Sequence, residues 1–274
     1  MLILLTDKCS LSCKHCMQSA SPTNNTFMSR DLFVHCLEKA KALGARVINL
    51  AGGEPTILDI ATLREYLEMC FSYGFITTIE TNGYFLEDAE KIDMFADLAK
   101  KYKEFYIQIS SFKEYYTNVG IVRKSLLHDE SAIKLWEVMG SRLSVAYENT
   151  STIQLTALGR CSEGDMLEKA KVFNRFPSCI NSFLIAKQTL MFDKPCYALE
   201  NFGRFCVPMV DPKGGIHMGE SIFCKKIGEI TDNTDVIIKS IKEYKPCGKC
   251  ANYHWHFDNP QTEKEKQVAK FLNS

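Results

Sequence analysis

Three cysteines lie close together near the start of the chain, at Cys9, Cys13 and Cys16. Thiolates are ligands for soft metals, and a four-iron cluster is commonly held by four of them. Three protein ligands would leave one iron open to another molecule, as a catalytic cluster requires. The alternatives are a structural zinc ion, which more often uses two C-x2-C pairs, or a ferredoxin-type cluster with a distant fourth cysteine. The spacing favours an iron–sulfur cluster with an open iron.

A second group of cysteines lies in the last quarter of the chain. Cys206 and Cys224 flank a hairpin signal, KGG at 213–215, and Cys247 and Cys250 form a C-x2-C pair. Four thiolates would fill every corner of an iron–sulfur cluster, whereas a four-cysteine zinc site has similar spacing. The residues by themselves leave both metals open. They indicate a small module held together by metal, because the apolar runs around them are short.

The elements that must position these cysteines alternate between strand and helix. Short apolar runs predict strands at Leu2–Leu5, Arg46–Ala51, Phe75–Ile79, Phe105–Ile109, Leu143–Tyr147 and Ile153–Thr156. Helical spacing predicts helices at Arg30–Leu43, with Ser29 as its N-cap, and at Ala61–Tyr73, Glu87–Tyr102 and Glu130–Met139. This alternation indicates an α/β fold with a parallel sheet. Periodicity alone leaves open whether the sheet is doubly wound or a partial barrel.

Small and polar residues follow the predicted strands, at the edge where parallel α/β folds gather their ligand sites. The motif Gly52-Gly53-Glu54-Pro55 ends the second strand, and its two glycines would let the backbone approach a ligand closely. Asn82 follows the third strand and Ser110 ends the fourth. Arg160 lies later, and its planar fork suits a carboxylate. An ordinary strand-to-helix turn, a turn asparagine and a surface salt bridge are the structural alternatives.

Composition narrows the class of protein. The 274 residues include 33 Lys+Arg and 33 Asp+Glu, so the bulk charge gives no support for a nucleic-acid partner. No stretch is apolar enough to cross a bilayer, and we predict a cytoplasmic protein with no membrane partner, whose thiols stay reduced. In that setting the twelve cysteines indicate metal rather than disulfides, except that Cys36 and Cys70 fit helical core positions.

The segment CSLSCKHC at 9–16 resembles the cysteine motif of the radical SAM superfamily, which follows the first strand of a partial (β/α)6 TIM-like barrel. The resemblance continues in GGEP at 52–55, in TNG at 81–83 and in the serine pair at 110–111. It implies a [4Fe-4S] cluster on the three cysteines and S-adenosylmethionine on its open iron. His15 stands where the family often has an aromatic residue.

The resemblance also implies roles for the residues at the strand ends. The GGEP segment, Gly52 to Pro55, is expected to hydrogen-bond the methionine amino group, and Asn82 and Ser110 to contact ribose and methionine. Arg160 is expected to bind the methionine carboxylate, and His15 to lie near adenine. In the family an electron from a donor such as flavodoxin or ferredoxin cleaves S-adenosylmethionine, and the 5′-deoxyadenosyl radical abstracts a substrate hydrogen. The sequence identifies no further catalytic residue.

The segment from Cys206 to about residue 230 resembles the twitch/SPASM region of a radical SAM subgroup. No cysteine follows Cys250, which favours the shorter twitch form with one auxiliary iron–sulfur cluster on Cys206, Cys224, Cys247 and Cys250, expected to be [4Fe-4S]. We therefore predict a barrel at 1–190, a twitch module at 191–259 and a tail at 260–274. The expected activity is oxidative modification of a peptide or small natural product, by dehydrogenation, crosslinking or epimerisation. The alternative is a non-catalytic iron–sulfur sensor or scaffold.

Overall fold

A computed structural model of the protein describes residues 1–111, 119–146, 158–166 and 208–244. Its strands are β1 (Leu2–Leu4), β2 (Val47–Ala51), β3 (Ile76–Thr81), β4 (Phe105–Ser110), β5 (Leu143–Ala146), β6 (Pro208–Val210), β7 (Gly215–Met218) and β8 (Lys226–Glu229). Its helices are α1 (Arg30–Ala42), α2 (Ile60–Ser72), α3 (Ala89–Lys101), α4 (Val119–His128), α5 (Glu130–Met139) and α6 (Thr234–Glu243). Within these ranges no helix is long and apolar enough to span a bilayer.

The helices begin where the sequence provides a capping side chain. Ser29, Asp59, Asp88 and Asp129 each accept a hydrogen bond from a backbone N–H in the first turn of α1, α2, α3 and α5. Such caps satisfy donors that the helix itself leaves unpaired. The predicted Ser29 cap is confirmed. Helix α4 was not predicted from the sequence.

The strand order and the side on which the helices pack distinguish the two folds that the sequence left open. The order in the sheet is β5-β4-β3-β2-β1-β6-β7-β8, and β1 to β5 are parallel and follow one another without reversal. A doubly wound sheet carries helices on both faces, whereas the helices α1 to α5 all pack against one face of these strands, as in a (β/α) barrel. The fold is therefore α/β with a partial TIM-like barrel. The sixth predicted strand, Ile153–Thr156, lies outside the described residues.

The sheet has an outer face and an inner face, because alternate strand residues point to opposite sides. Outer-face residues such as Ile48, Ile79 and Ile107 share one hydrophobic core with residues of all six described helices. On the inner face Leu4, Ala51 and Met209 form a separate small cluster. The rest of the inner face of β2 to β4 is half-buried: Val47 and Ile76 are apolar, and the other residues are polar, namely Asn49, Thr78, Glu80, Tyr106, Gln108 and Ser110. One-sided helical cover is what a partial barrel requires.

The described part of the predicted C-terminal module continues the same sheet. Strand β6 pairs in parallel with β1, and β7 and β8 follow as antiparallel neighbours. The predicted hairpin is present, and Asp211 closes its turn by accepting hydrogen bonds from the backbone N–H groups of Lys213 (2.8 Å) and Gly215 (3.0 Å). Gly214 has a φ of 92°, which favours glycine in this turn. The predicted tail, 260–274, lies outside the described residues.

Candidate metal and cofactor site

The cysteine-bearing loop starts at the carboxyl end of β1 and is closed at its base by backbone hydrogen bonds. The N–H groups of Asp7 and Cys9 donate to the carbonyls of Thr26 and Ser21, both over 3.1 Å. Asp7 also accepts a hydrogen bond from the Thr26 N–H through its carboxylate, over 2.7 Å. The loop therefore has a fixed base at the edge of the sheet, from which residues 10–20 project.

The three cysteine side chains lie together on this loop. Cys9 is buried, and Cys13 and Cys16 are partly exposed. Burial raises the pKa of Cys9 to about 12, with smaller contributions from the negative charges of Glu54, Cys13 and Cys16. Burial and charge on Cys16 likewise raise the pKa of Cys13 to about 11. The Cys9 Sγ atom accepts hydrogen bonds from the backbone N–H of Leu11 (3.3 Å) and the side-chain amide of Asn82 (3.8 Å).

This donor set fits an iron–sulfur cluster. Thiolates are its usual ligands, and N–H groups directed at the sulfurs tune its potential. Within the described part of the chain, no three His, Cys, Asp or Glu side chains are placed around a single metal ion. A cubane cluster binds each cysteine at a different iron, so its ligands stand farther apart than those of one ion.

Because Gly52 and Gly53 have no side chain, the backbone of residues 6–8, which leads into the cysteine loop, packs directly against them. A Cβ on Gly52 would lie 2.4 Å from the Thr6 carbonyl oxygen, and one on Gly53 would lie 2.1 Å from that of Lys8. Because of this close approach, the Gly53 N–H donates to Thr6 (2.7 Å) and the Glu54 N–H donates to Lys8 (2.8 Å). The two glycines thus attach the end of β2 to the segment that leads into Cys9.

Glu54 is a buried side chain that joins the ends of β2 and β3, with 1% of its surface exposed. Its carboxylate accepts hydrogen bonds from the backbone N–H groups of Thr56 (3.0 Å) and Asn82 (2.7 Å). It also accepts from the hydroxyls of Thr56 (2.6 Å) and Thr81 (2.7 Å). Burial raises the pKa of Glu54, while these hydrogen bonds oppose the rise. Pro55 begins the short 3-10 helix Pro55–Ile57 that follows.

Asn82 joins the end of β3 to the cysteine loop. Its side-chain nitrogen donates to the Ser10 hydroxyl over 3.0 Å as well as to Cys9, and its side-chain oxygen accepts from the Tyr84 N–H over 3.1 Å. The residue is buried, at 6% exposure. The structure therefore places Asn82 at the predicted site and gives it the task of holding the loop.

Arg160 reaches the same loop from the other side. Its Nε atom donates to the Cys13 carbonyl (2.9 Å), its Nη2 atom donates to the Ala20 carbonyl (2.6 Å), and its backbone N–H donates to the Cys16 carbonyl (3.1 Å). A Cβ on Gly159 would lie 2.8 Å from the Cys16 carbonyl oxygen. Residues 159–160 therefore clamp the backbone of the loop around its second and third cysteines.

His15 and Ser110 occupy different surroundings. Burial, together with the positive charge of Arg160, lowers the pKa of His15 to about 4, so the imidazole is neutral at pH 7. Ser110 is the last residue of β4 and lies on the inner face of the sheet, one residue beyond the pair of Ile109 with Thr81 of β3. The structure thus places the half-buried His15 within the cysteine loop near Arg160, whereas Ser110 lies at the carboxyl end of β4.

Cys224 is the one proposed auxiliary ligand within the described residues, since Cys206, Cys247 and Cys250 lie outside them. Cys224 is partly exposed, and its backbone carbonyl lies 3.0 Å from Nδ1 of His217. Nε2 of His217 lies 2.7 Å from Asp211. Burial opposes ionisation of both side chains, but their mutual hydrogen bond raises the pKa of His217 and lowers that of Asp211. The charged pair fixes the backbone at Cys224.

Sequence reasoning missed the contacts that join the two cysteine segments. Gln18 donates from Nε2 to the Glu220 carbonyl and accepts from the Ile222 N–H over 3.1 Å. The Ser221 hydroxyl donates to the Met17 carbonyl over 2.6 Å. Cys161, to which the sequence gave no role, is buried, and burial and nearby Cys16 raise its pKa to about 11. The partners in the Gln18 and Ser221 contacts are about two hundred residues apart, so no local pattern signals them.

The Radical SAM superfamily model matches residues 3–132, which include the cysteine loop, GGEP and TNG. The probable GTP 3′,8-cyclase of Methanothermobacter marburgensis is 36% identical over 87 residues, which are 31% of this chain and 28% of that protein. The GTP 3′,8-cyclase of Clostridium perfringens strain SM101 is 29% identical over 100 residues, which are 32% of this chain and 28% of that protein. The matched segment therefore spans little more than a quarter of these curated relatives.

Solved structures with a similar chain path include BtrN in complex with AdoMet and 2-DOIA, with a TM-score of 0.48 and 15% identity, covering 99% of this chain and 86% of that one. The anSMEcpe structure with bound AdoMet and Cp18Cys peptide has a TM-score of 0.48 and 14% identity, and covers 100% of this chain and 83% of that one. Streptococcus suis SuiB bound to S-adenosylmethionine has a TM-score of 0.45 and 15% identity, with 89% and 68% covered.

Proposed function

Because residues 3–132 are a radical SAM domain, we propose that the protein binds a [4Fe-4S] cluster through Cys9, Cys13 and Cys16 and cleaves S-adenosylmethionine reductively. The observation that carries this proposal is the grouping of three thiols on a loop held rigidly at the carboxyl edge of a parallel sheet. When bound, the cluster supplies the electron that generates a 5′-deoxyadenosyl radical, which abstracts a hydrogen from the substrate.

The protein's own residues prepare this site. Glu54 fixes the ends of β2 and β3 to each other, and Asn82 connects them to Cys9 and Ser10. Arg160 holds the loop carbonyls on the opposite side. A loop fixed at so many points keeps its ligands in place before the metal arrives, and the burial of Cys9 limits access of water.

We propose that the same strand ends bind S-adenosylmethionine. The GGEP backbone from Gly52 is assigned to the methionine amino group, and Asn82 and Ser110 to the ribose and methionine contacts. A guanidinium has five N–H groups, and the described hydrogen bonds use two of those on Arg160, so the remainder suit the methionine carboxylate. The neutral His15 ring is suited to lie beside adenine.

The proposal extends to an auxiliary cluster and a substrate class. We assign Cys206, Cys224, Cys247 and Cys250 to one auxiliary iron–sulfur cluster, with zinc as the competing metal for four thiolates. Hydrogen bonds of Gln18 and Ser221 join the segment before Cys224 to the cysteine loop, which supports a second metal site close to that loop. The substrate is a peptide or a small natural product, and flavodoxin or ferredoxin is the type of electron donor.

The test is anaerobic reconstitution with iron and sulfide, followed by addition of S-adenosylmethionine and dithionite. The wild-type protein is expected to release 5′-deoxyadenosine, which mass spectrometry measures, and Cys13→Ala is expected to release none. Cys36→Ala is the matched control, because it removes a buried thiol from α1 that lies outside the loop. A fully loaded wild-type protein that forms no 5′-deoxyadenosine would favour the non-catalytic sensor instead.

The metal content tests the auxiliary site separately. Replacing Cys224 with alanine is expected to lower bound iron by about half, given two four-iron clusters. Unchanged iron together with a loss of zinc would instead identify a structural zinc module.

A further inference from the structure

The inner face of the partial barrel carries a carboxylate that the proposed cofactor chemistry does not use. Glu80 of β3 pairs with Gln108 of β4 in the sheet register. Thr78, two residues before Glu80 on the same face, pairs with Asn49 of β2. These side chains are half-buried, and among the described strand residues of β1 to β5 Glu80 is the only charged group on this face. The inner face therefore combines polar groups with one negative charge.

Glu80 and Asn49 form a pair that is rich in acceptors. The Asn49 side-chain nitrogen donates to Glu80 Oε1 over 2.5 Å. The Oδ1 atom of Asn49 is buried and accepts no hydrogen bond from the described residues. Loss of water around Glu80 raises its pKa, and the Asn49 hydrogen bond opposes that rise only in part. A donor that carries positive charge would stabilise the Glu80 carboxylate.

The pair lies close to the thiols. Glu80 precedes Asn82 by two residues, a separation of about 7 Å along a strand. The Asn82 side-chain nitrogen is 3.8 Å from Cys9 Sγ. A molecule held by Glu80 on the inner face would therefore lie at the barrel mouth, next to the position assigned to the cluster and S-adenosylmethionine.

We propose that Glu80, positioned by Asn49, is the polar anchor of the substrate site and binds a protonated amine of the substrate. The inference rests on the proposed function, because it takes the inner face to be where the substrate lies. The ammonium group donates to the Glu80 carboxylate, and Asn49 holds that carboxylate in place through its side-chain N–H. Aminated small molecules and peptides with a free amine belong to this substrate class.

The experiment compares two probes of the same ring size, cyclohexylamine and cyclohexanol, on the reconstituted full chain by saturation-transfer NMR titration. The amine is expected to bind about tenfold more tightly than the alcohol, the factor that one charge-assisted hydrogen bond provides. Glu80→Gln is expected to reduce this preference to less than about twofold. Glu90→Gln makes the same chemical change at an exposed position of α3 and is expected to leave the preference intact.

Equal binding of the two probes by the wild-type protein would overturn the proposal, and that comparison needs no variant to fold. A preference that survives in Glu80→Gln would also overturn it, provided circular dichroism and iron content match the wild type. Formation of 5′-deoxyadenosine is measured separately. An amine preference without 5′-deoxyadenosine would refute the proposed function and keep the binding site, whereas 5′-deoxyadenosine without an amine preference would refute only the site.

Discussion

Replacing Glu54 with alanine is expected to destabilise the protein much more than removing a carboxylate from its surface. The substitution would leave two backbone N–H groups, those of Thr56 and Asn82, without their buried acceptor. Each such donor costs about 1–3 kcal/mol, whereas the two threonine hydroxyls can rotate toward other partners. The variant recovers part of this loss because it no longer buries a carboxylate, whose pKa burial raises. We expect a net decrease in the free energy of unfolding of about 3 kcal/mol.

The assay is urea unfolding of the metal-free protein, followed by circular dichroism. Glu65→Ala is the matched control, because Glu65 forms an exposed ion pair with Arg30 over 2.6 Å. A pair of that kind contributes at most about 1 kcal/mol. The free energy of unfolding of Glu54→Gln is expected to lie between those of Glu54→Ala and Glu65→Ala. Its amide keeps one acceptor oxygen but directs an N–H group at the N–H of Asn82.

The same comparison separates a positioning role for Glu54 from a ligand role. If the side chain only bound S-adenosylmethionine, Glu54→Ala would unfold at the same urea concentration as Glu65→Ala and would lose only cofactor affinity. A difference in unfolding free energy below about 1 kcal/mol between these two variants would refute the hydrogen-bond argument. The expected outcome is a large difference, together with poor retention of iron.

Three further predictions concern the surroundings of the thiols and the inner face. Gly53→Ala is expected to lower the free energy of unfolding by about 3 kcal/mol, because its Cβ would lie 2.1 Å from the Lys8 carbonyl oxygen. The control is Gly120→Ala in α4, where a Cβ meets open space, and it is expected to raise the free energy of unfolding by about 1 kcal/mol. Arg160→Lys is expected to lose iron to a chelator about tenfold faster, since an ammonium cannot bridge two loop carbonyls as the fork does; an unchanged rate would contradict the clamp. Because the folded pKa of Glu80 lies above its unfolded value, the wild type loses stability as pH rises through that folded pKa, so the stability advantage of Glu80→Gln should be larger at about pH 8 than at about pH 5 in urea titrations.

Local sequence was sufficient to predict most of the strands and helices. The runs that form β2 to β5 are apolar or β-branched and end at turn or cap residues, so their predicted limits lie within two residues of the structure. Helix α4 escaped prediction because Gly120, its second residue, lowers the helix propensity of the segment. The hairpin was predicted from its turn but without bounds for its strands, since β6 is three residues long and begins with Pro208.

Long-range relations were less accessible. Hydrophobic periodicity shows that a strand is buried but gives no order of strands, so the partial barrel could be inferred only by resemblance until the sheet order and the face covered by the helices were known. The cysteine ligands remain predictions that the grouping of their thiols supports. The hydrogen bond between Glu54 and Asn82 joins residues 28 positions apart, and that between Arg160 and Cys13 joins residues 147 positions apart. Local sequence spacing does not predict contacts between residues so far apart.

The strand-end motifs acquire a common explanation from these contacts. Burial raises the pKa values of Cys9 and Cys13, and the charge of neighbouring thiolates adds to the rise, so the folded loop opposes their ionisation. A loop that holds them together must therefore be fixed from outside. Gly53 attaches it to β2, Asn82 to β3, and Arg160 to a later turn. The motifs that accompany the cysteines thus stabilise an arrangement that the cysteines alone would not adopt, and a cation bound between the thiolates would relieve the repulsion.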